Sequence, residues 1–270
     1  MKLTNRTAVV TGAASGIGRA IAISLAQRGC HLALADLNEA GLSQTAEIAS
    51  AHAIRISQHR VDVADRQAVA AFPQAVMAQH PGVDLLVNNA GVAIGGTFDE
   101  ASEEDFEWLF EINFWGVVRM TRAFLPLLKK SDDARVVNLS SLYGLISPPG
   151  QTAYSASKFA VRGFSNALRH ELAGSHIGIT VVHPGGVATS IADSARIAKT
   201  ATPEDIAQRK ARIKKALRMP PAVAGEIIVK GIERRQSRII VGTDAKVLSL
   251  IERLAPVSYW KVLTRLMPHA

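Results

Sequence analysis

The feature that most constrains this chain is an alternation of short apolar runs with longer stretches of helical period. "TAVVT" (7–11) reads as a buried strand, "GIGRAIAISLAQRG" (16–29) as a helix ending at Gly29, and "HLALAD" (31–36) as a second strand. The pattern continues with a helix over 38–51, a strand within 54–63, a helix over 65–79 and a strand in 84–91 that runs into a loop. One long helix is expected over 103–129, bent before Pro126, followed by a strand at 134–141 and a helix at 153–173. A strand at 177–186, a helical excursion at 190–218, a helix at 221–235 and a last strand at 238–242 complete the order. Strands separated by helices imply parallel βαβ units with helices on both sheet faces. The expected fold class is therefore α/β, a doubly wound parallel sheet. No Pro/Gly/Ser-rich linker divides the sequence, so residues 1–270 read as one domain.

Composition narrows the class. Hydrophobic residues make up 48% and charged residues 20%, as in a soluble globular protein. Cys30 is the single cysteine, so no disulfide forms within the chain and a reducing compartment is permitted. The N-terminal residues lack the apolar run of a signal peptide, and no run approaches the ~18 residues of a membrane-spanning helix. These features point to the cytoplasm. The net charge is +8, concentrated between Thr189 and Met219, where eight basic residues face three acidic ones. That stretch has no aromatic residue and no recognition motif, so nucleic acid is not the expected partner. The eight histidines lack metal-ligand spacing, and no metal site is expected.

Chemistry first becomes visible in "TGAASGIG" (11–18). Gly12, Gly16 and Gly18 follow a strand and open a helix, which permits a tight turn and close approach of a ligand to the backbone. The free N–H groups and positive dipole end of that helix suit a pyrophosphate. Asp36 closes the second strand, where its carboxylate suits the two ribose hydroxyls of an adenosine and repels a 2′-phosphate. Ser15 and Leu37 offer no positive charge beside it, so NAD(H) is favoured over NADP(H). A second signal is "YSASK" (154–158). At i and i+4, Tyr154 and Lys158 share a helix face. A phenol has an ordinary pKa near ~10, and a neighbouring ammonium favours the phenolate, which would suit it to acid–base work.

Five pieces in order now carry a resemblance: "TGAASGIG", "NNAG" (88–91), Asn113, Ser141 with "YSASK", and "PGGVAT" (184–189). Over residues 5 to about 242 the chain resembles the short-chain dehydrogenase/reductase family. The resemblance implies a single Rossmann-type sheet of seven parallel strands and assembly as a homodimer or homotetramer. It implies that Tyr154 is the acid/base, that Lys158 holds the nicotinamide ribose and lowers the tyrosine pKa, and that Ser141 orients the substrate oxygen. Asn113 matches the asparagine that supports a water leading to the lysine. The cofactor residues it implies are Gly12, Ser15, Gly16, Ile17, Gly18, Asp36, Asp62, Val63, Asn89, Ala90, Gly91, Tyr154, Lys158, Pro184, Gly185, Val187 and Thr189. The expected cofactor is NAD.

Two regions lie outside that shared core. The excursion at 190–218 matches the family's mobile lid. In the tail, 246–270, Val247, Leu250, Ile251 and Leu254 make an apolar stripe at helical spacing, Pro256 interrupts it, and Trp260, Leu263 and Met267 begin a second. Packing on this or a neighbouring subunit is the favoured reading of the tail. Weak association with a membrane surface is the other, because Lys246, Arg253, Lys261 and Arg265 flank the stripes. Ile94, Leu142, Ile146 and Pro148, expected near Ser141 and Tyr154, suggest an apolar secondary alcohol or ketone as substrate. The alternative function is a cofactor-binding sensor or scaffold without turnover. His183 reads as a strand-end residue, and Trp108, Phe110, Phe114 and Trp115 as core or subunit-interface residues.

Overall fold

A computed structural model describes residues 1–191, 195–197 and 217–266. Most of the basic excursion expected at 190–218 lies outside them, as does Met267. The strands are β1 (Thr7–Thr11), β2 (His31–Asp36), β3 (Ile56–Arg60), β4 (Leu85–Asn88), β5 (Ile94–Gly95), β6 (Ala134–Leu139), β7 (Ile177–Pro184), β8 (Arg196–Ile197) and β9 (Arg238–Val241). Seven of them form one sheet in the order β3-β2-β1-β4-β6-β7-β9, and every neighbouring pair is parallel. The order reverses between β1 and β4, and ligands of such sheets bind beyond the carboxyl ends of the strands near that point.

The helices are α1 (Gly16–Ala26), α2 (Glu39–Ala49), α3 (Arg66–Met77), α4 (Glu103–Phe110), α5 (Gly116–Leu128), α6 (Thr152–Glu171), α7 (Pro221–Glu233), α8 (Thr243–Leu254) and α9 (Tyr259–Leu266). The central strands β1, β2 and β4 read as nearly unbroken apolar runs because both faces are covered. On β1, Ala8 and Val10 enter a core with Ile21 and Leu25 of α1 and Ile228 of α7. Val9 enters the opposite core with Phe72 of α3 and Phe124 of α5. Strands β2 and β4 split their residues between the same two layers. Phe124, fully buried and edge-on to Phe72, anchors the second layer. Truncating such a residue to alanine costs about 3–5 kcal/mol.

Two sequence expectations are corrected. The long helix over 103–129 is interrupted at Glu111–Trp115 by a π-helical segment, and Pro126 sits inside α5 without ending it. Such a segment shifts helical register by one residue, and it does so at Asn113. In the tail, the expected apolar stripe is not the face that packs. Ala245 and Leu248 join Leu142 and Ile146 in a small core. Val247, Leu250 and Leu254 are 51%, 58% and 77% exposed. Ala245 and Leu248 face inward because they lie on the side of α8 that packs over the turn following β6. Leu263 of α9 is buried, so the second stripe does pack on the chain itself.

Candidate active site

The loop between β1 and α1 is shaped by its glycines. Gly12 and Gly16 have φ of +64° and +54°, in the left-handed region. A Cβ on Gly18 would lie 2.0 Å from the Gly12 carbonyl oxygen. The side chain of Asn89 closes this turn from β4, with Nδ2 donating to the carbonyls of Thr11 at 3.0 Å and Gly12 at 3.1 Å. Thr11 Oγ1 accepts in return from the backbone N–H groups of Asn89 and Ala90, each at 3.0 Å. The four side-chain oxygens that cap helices elsewhere make a contrast with α1. Asn38 caps α2, Asp65 caps α3 and Ser102 caps α4, and Ser141 caps the short turn after β6. Ser15, in the capping position of α1, makes no such bond. The first-turn N–H groups of α1 are thus left for an anion.

Around this loop the structure gathers the other expected cofactor residues. Asp36 accepts from Ala14 N–H through Oδ2 and from Asn38 N–H through Oδ1, both at 3.0 Å. Those bonds hold the carboxylate at the end of β2. Leu37 beside it is 52% exposed. Two cations missed in the sequence lie close. Arg60 is the register partner of Asp36 across β2 and β3. Arg19 is occupied by Thr45, Gln44 and the carbonyls of Ala14 and Gly41. Asp62 accepts from Ala64 N–H at 2.9 Å, and Val63 is buried beneath Gly116. Pro184 ends β7, and Gly185 N–H donates to Val241 at 2.9 Å. Val187 is buried and bridges to Met219. Thr189 returns to the glycine loop, its Cγ2 3.1 Å from where a Gly16 Cβ would stand. Ile17 packs partly buried against the core of α1.

The side-chain cluster lies across the switch point. Ser141 follows β6 in extended conformation, and its Oγ accepts from Tyr143 N–H at 3.1 Å. Tyr154 and Lys158 stand one turn apart on α6, with Lys158 Nζ 5.6 Å from the phenol ring centroid. Lys158 is 4% exposed, and its Nζ donates to the Leu139 carbonyl at 3.2 Å. The α6 backbone at Lys158 is tied to β6, since its carbonyl accepts from Ser140 Oγ at 2.8 Å. Gly91 is close by: a Cβ there would be 3.4 Å from Nζ and 3.0 Å from Asn113 Oδ1. Asn113 is fully buried and ties that loop to α6. Its Oδ1 accepts from Val92 N–H at 2.8 Å, while Nδ2 donates to Val92 O at 3.0 Å and to Ser157 Oγ at 3.2 Å.

Burial sets the proton affinities. It pushes the Tyr154 phenol up to about 12, the Ser141 hydroxyl pulls it back down, and Tyr143 adds to the rise. Burial also pulls the Lys158 ammonium down to about 8. The lowering influence on the phenol comes from Ser141, while Lys158 Nζ donates to the Leu139 carbonyl.

The sequence also hides supporting residues. His183, fully buried, places Nδ1 3.0 Å from the Ser141 carbonyl, and burial drops its pKa to about 4. Asn88 Nδ2 donates to Asn138 at 2.8 Å, and Asn138 donates to Ser165 at 2.9 Å, a buried ladder linking β4, β6 and α6. Leu142 and Ile146, expected beside the substrate, pack against Ala245 of α8. Trp108 is a half-buried platform with the Arg196 guanidinium 3.6 Å from its ring, and Trp115 is 45% exposed, so neither is a core residue.

Known proteins are similar to this chain in sequence and fold. A family model described as short chain dehydrogenase matches residues 6–200. SadH of Mycobacterium tuberculosis (strain H37Rv), named as an oxidoreductase, is 42% identical over 260 residues, 96% of this chain and 94% of SadH. UcpA of Escherichia coli K12, also named as an oxidoreductase, is 37% identical over 205 residues, 76% of this chain and 77% of UcpA. A short-chain dehydrogenase/reductase from Burkholderia phymatum in complex with NAD superposes with a TM-score of 0.87 at 31% identity, covering 94% of this chain and 95% of that one. An alcohol dehydrogenase from Thermococcus sibiricus complexed with 5-hydroxy-NADP gives 0.74 at 27% identity, covering 88% and 94%.

Proposed function

Because the chain belongs to the short-chain dehydrogenase/reductase family, whose members are oxidoreductases, we propose that it interconverts an apolar secondary alcohol and its ketone with NAD(H). The observation that carries this reading is the meeting, at the carboxyl ends of the central strands, of an uncapped helix N-terminus with the cluster of Ser141, Tyr154 and Lys158. The residues present fit a dinucleotide. Gly12, Ser15, Gly16, Ile17 and Gly18 would hold the pyrophosphate, and Asp36 the adenosine ribose. Asp62 and Val63 would border the adenine. Asn89, Ala90 and Gly91 would flank the nicotinamide half, with Pro184, Gly185, Val187 and Thr189 closing it. When bound, the nicotinamide supplies or accepts the hydride.

Tyr154 handles the proton in this reading. Protonated at neutral pH, it donates to the carbonyl oxygen during reduction; in oxidation it must first lose its proton. Ser141 orients that oxygen, Lys158 holds the nicotinamide ribose, and Asn113 fixes the loop carrying Gly91 against α6. Asp36 supports NAD(H) over NADP(H), since its carboxylate would repel a 2′-phosphate; Arg60 on the next strand is the residue that could offset it. We read residues 1–270 as one catalytic domain with a lid at 190–218 and a tail at 246–270, in a cytoplasmic homodimer or homotetramer. Packing of α8 and α9 on the chain favours a structural tail over weak membrane association.

The test is to mix the protein with NAD⁺ and a panel of secondary alcohols and follow NADH. Turnover confined to apolar alcohols supports the proposal. Tight NADH binding without turnover of any alcohol or ketone would leave the sensor reading in its place.

A further inference from the structure

One buried titratable group takes no part in the chemistry proposed above. His183 stands near the carboxyl end of β7, immediately before Pro184 and Gly185. Its neighbour Val182 enters the layer with α1 and α7, and alternation along a strand turns His183 to the opposite face. There the ring is fully buried and meets the turn that follows β6. A carbonyl oxygen can only accept, so the 3.0 Å contact between Nδ1 and the Ser141 carbonyl requires the proton on Nδ1. Burial drops the pKa to about 4 and keeps the ring neutral at neutral pH. Nε2 is then a bare acceptor, and it is buried with no partner among the described residues. A buried acceptor left unpaired is unfavourable. Packing alone therefore does not account for an imidazole here, since an apolar side chain would fill the slot without that loss. What the imidazole adds is the Nδ1–H donor.

The carbonyl it holds belongs to a residue of the candidate site. Ser141 O also accepts from Gly144 N–H at 3.0 Å, and Ser141 Oγ accepts from Tyr143 N–H at 3.1 Å. Both of those bonds lie within the turn itself. The bond from His183 instead ties the Ser141 peptide to β7. Because β7 runs on into Pro184 and Gly185, the ring links the turn carrying Ser141 to the segment that would close the nicotinamide half.

We propose that His183 is a positioning residue, whose Nδ1–H fixes the Ser141 carbonyl and so sets the Ser141 hydroxyl toward the substrate oxygen beside Tyr154. This role rests on the reading of Ser141 as the group that orients that oxygen. It is exerted through Ser141, and small displacements of such a group are felt in the rate.

Three variants separate the donor from the packing. His183→Leu removes the donor and keeps an apolar side chain of similar bulk; His183→Phe does the same with a planar ring. His183→Asn keeps an N–H at the Nδ1 position and leaves part of the slot empty. With NAD⁺ and the best alcohol of the panel, kcat should fall about fivefold in His183→Leu and His183→Phe, the size of one neutral hydrogen bond. It should return to within about twofold of wild type in His183→Asn, and the NADH dissociation constant should stay within about twofold in all three. Melting temperature should be lowest in His183→Asn, which leaves a cavity. Turnover and stability then rank the donor-free variants and His183→Asn in opposite order, whereas a purely structural role would rank them alike. Added to Ser141→Ala, His183→Leu should cost less than about twofold more, because the hydroxyl it positions is already gone. A readout without turnover is the ¹⁵N spectrum of the imidazole in the full chain, where Nδ1 and not Nε2 should carry the proton at neutral pH. An Nε2-protonated ring, full turnover in the donor-free variants, a His183→Asn protein as slow as they are, or a full further loss in the double variant would each overturn the proposal. If Ser141→Ala is slow while His183→Leu is not, the role of His183 alone fails. Wild-type turnover in Ser141→Ala, or no turnover in wild-type protein, would overturn the functional reading and this role together.

Discussion

The two ends of the candidate site sit at the carboxyl ends of the central strands but are made of different atoms. The phosphate end is a backbone device. In the proposed reading its working groups would be main-chain N–H donors at α1, and its side chains matter mainly by being absent, as at Gly12 and Gly18. The chemical end is a side-chain device. In the proposed reading Ser141, Tyr154 and Lys158 would act through their side chains, and burial shifts two of these in opposite directions, the phenol up to about 12 and the ammonium down to about 8. A substitution at the first end should change shape and affinity. One at the second should change proton handling and leave shape intact.

The largest effect separating the two ends is expected at Tyr154. Tyr154→Phe deletes one oxygen, and turnover of the best alcohol should fall by about 10²–10⁴, the range for a positioned acid–base group. Its NADH dissociation constant, measured by fluorescence titration, should stay within about twofold of wild type, the small change expected where no contact of the glycine loop is altered. Next comes Gly18→Ala, which forces a Cβ against the Gly12 carbonyl. NADH affinity should fall by about tenfold or more because the turn must open, whereas kcat at saturating cofactor should change less. A third test is cofactor choice. Asp36→Ala with Leu37→Arg should shift the NADPH-to-NADH affinity ratio by about tenfold toward NADPH, by removing repulsion and adding a phosphate partner. An unchanged ratio would point to Arg60, not Asp36, as the residue that governs the choice.

The smallest effect is on stability, and its sign opposes that on activity. The folded state binds the Lys158 proton less tightly than the unfolded chain, since burial takes its pKa from 10.5 to about 8. The associated stability is present above the unfolded value and is lost as pH falls through about 8. At pH 7 the buried ammonium therefore costs free energy, of the order of a few kcal/mol. Lys158→Met should raise the melting temperature at pH 7 by several degrees while removing turnover. The gain should shrink toward zero near pH 10, as shown by melting curves at both pH values.

How much of this was legible in the sequence follows the same division. The glycine loop could be read because a backbone constraint selects a residue type at fixed spacing, and Asp36 followed from its place at a strand end. The strands were legible because burial on both faces leaves uninterrupted apolar runs. The π-helical segment at Asn113 was not, since its i→i+5 bonding has no period in the residue types. Nor was His183, whose role depends on β6 and β7 being neighbours that bring its ring to the Ser141 carbonyl. Which face of the tail packs was not legible either: hydropathy ranks Val247, Leu250 and Leu254 with Leu248, but only Ala245 and Leu248 fall on the side of α8 that meets Leu142 and Ile146. The rise of the Tyr154 pKa was hidden too, because spacing shows that a lysine is near and not how deeply the phenol is buried.

The most direct test of the central claim, that Tyr154 is the proton handler of a nicotinamide-linked alcohol/ketone reaction, is the pH dependence of both directions in wild-type protein and Tyr154→Phe. Oxidation needs the phenol deprotonated, and its pKa is raised, so kcat/KM for the alcohol should climb about tenfold per pH unit across the neutral range. Ketone reduction, which uses the protonated phenol, should be flat over the same range and fall only at high pH. Tyr154→Phe should abolish the climb along with the turnover. A wild-type oxidation rate independent of pH, or a Tyr154→Phe protein that keeps both rate and slope, would contradict the account.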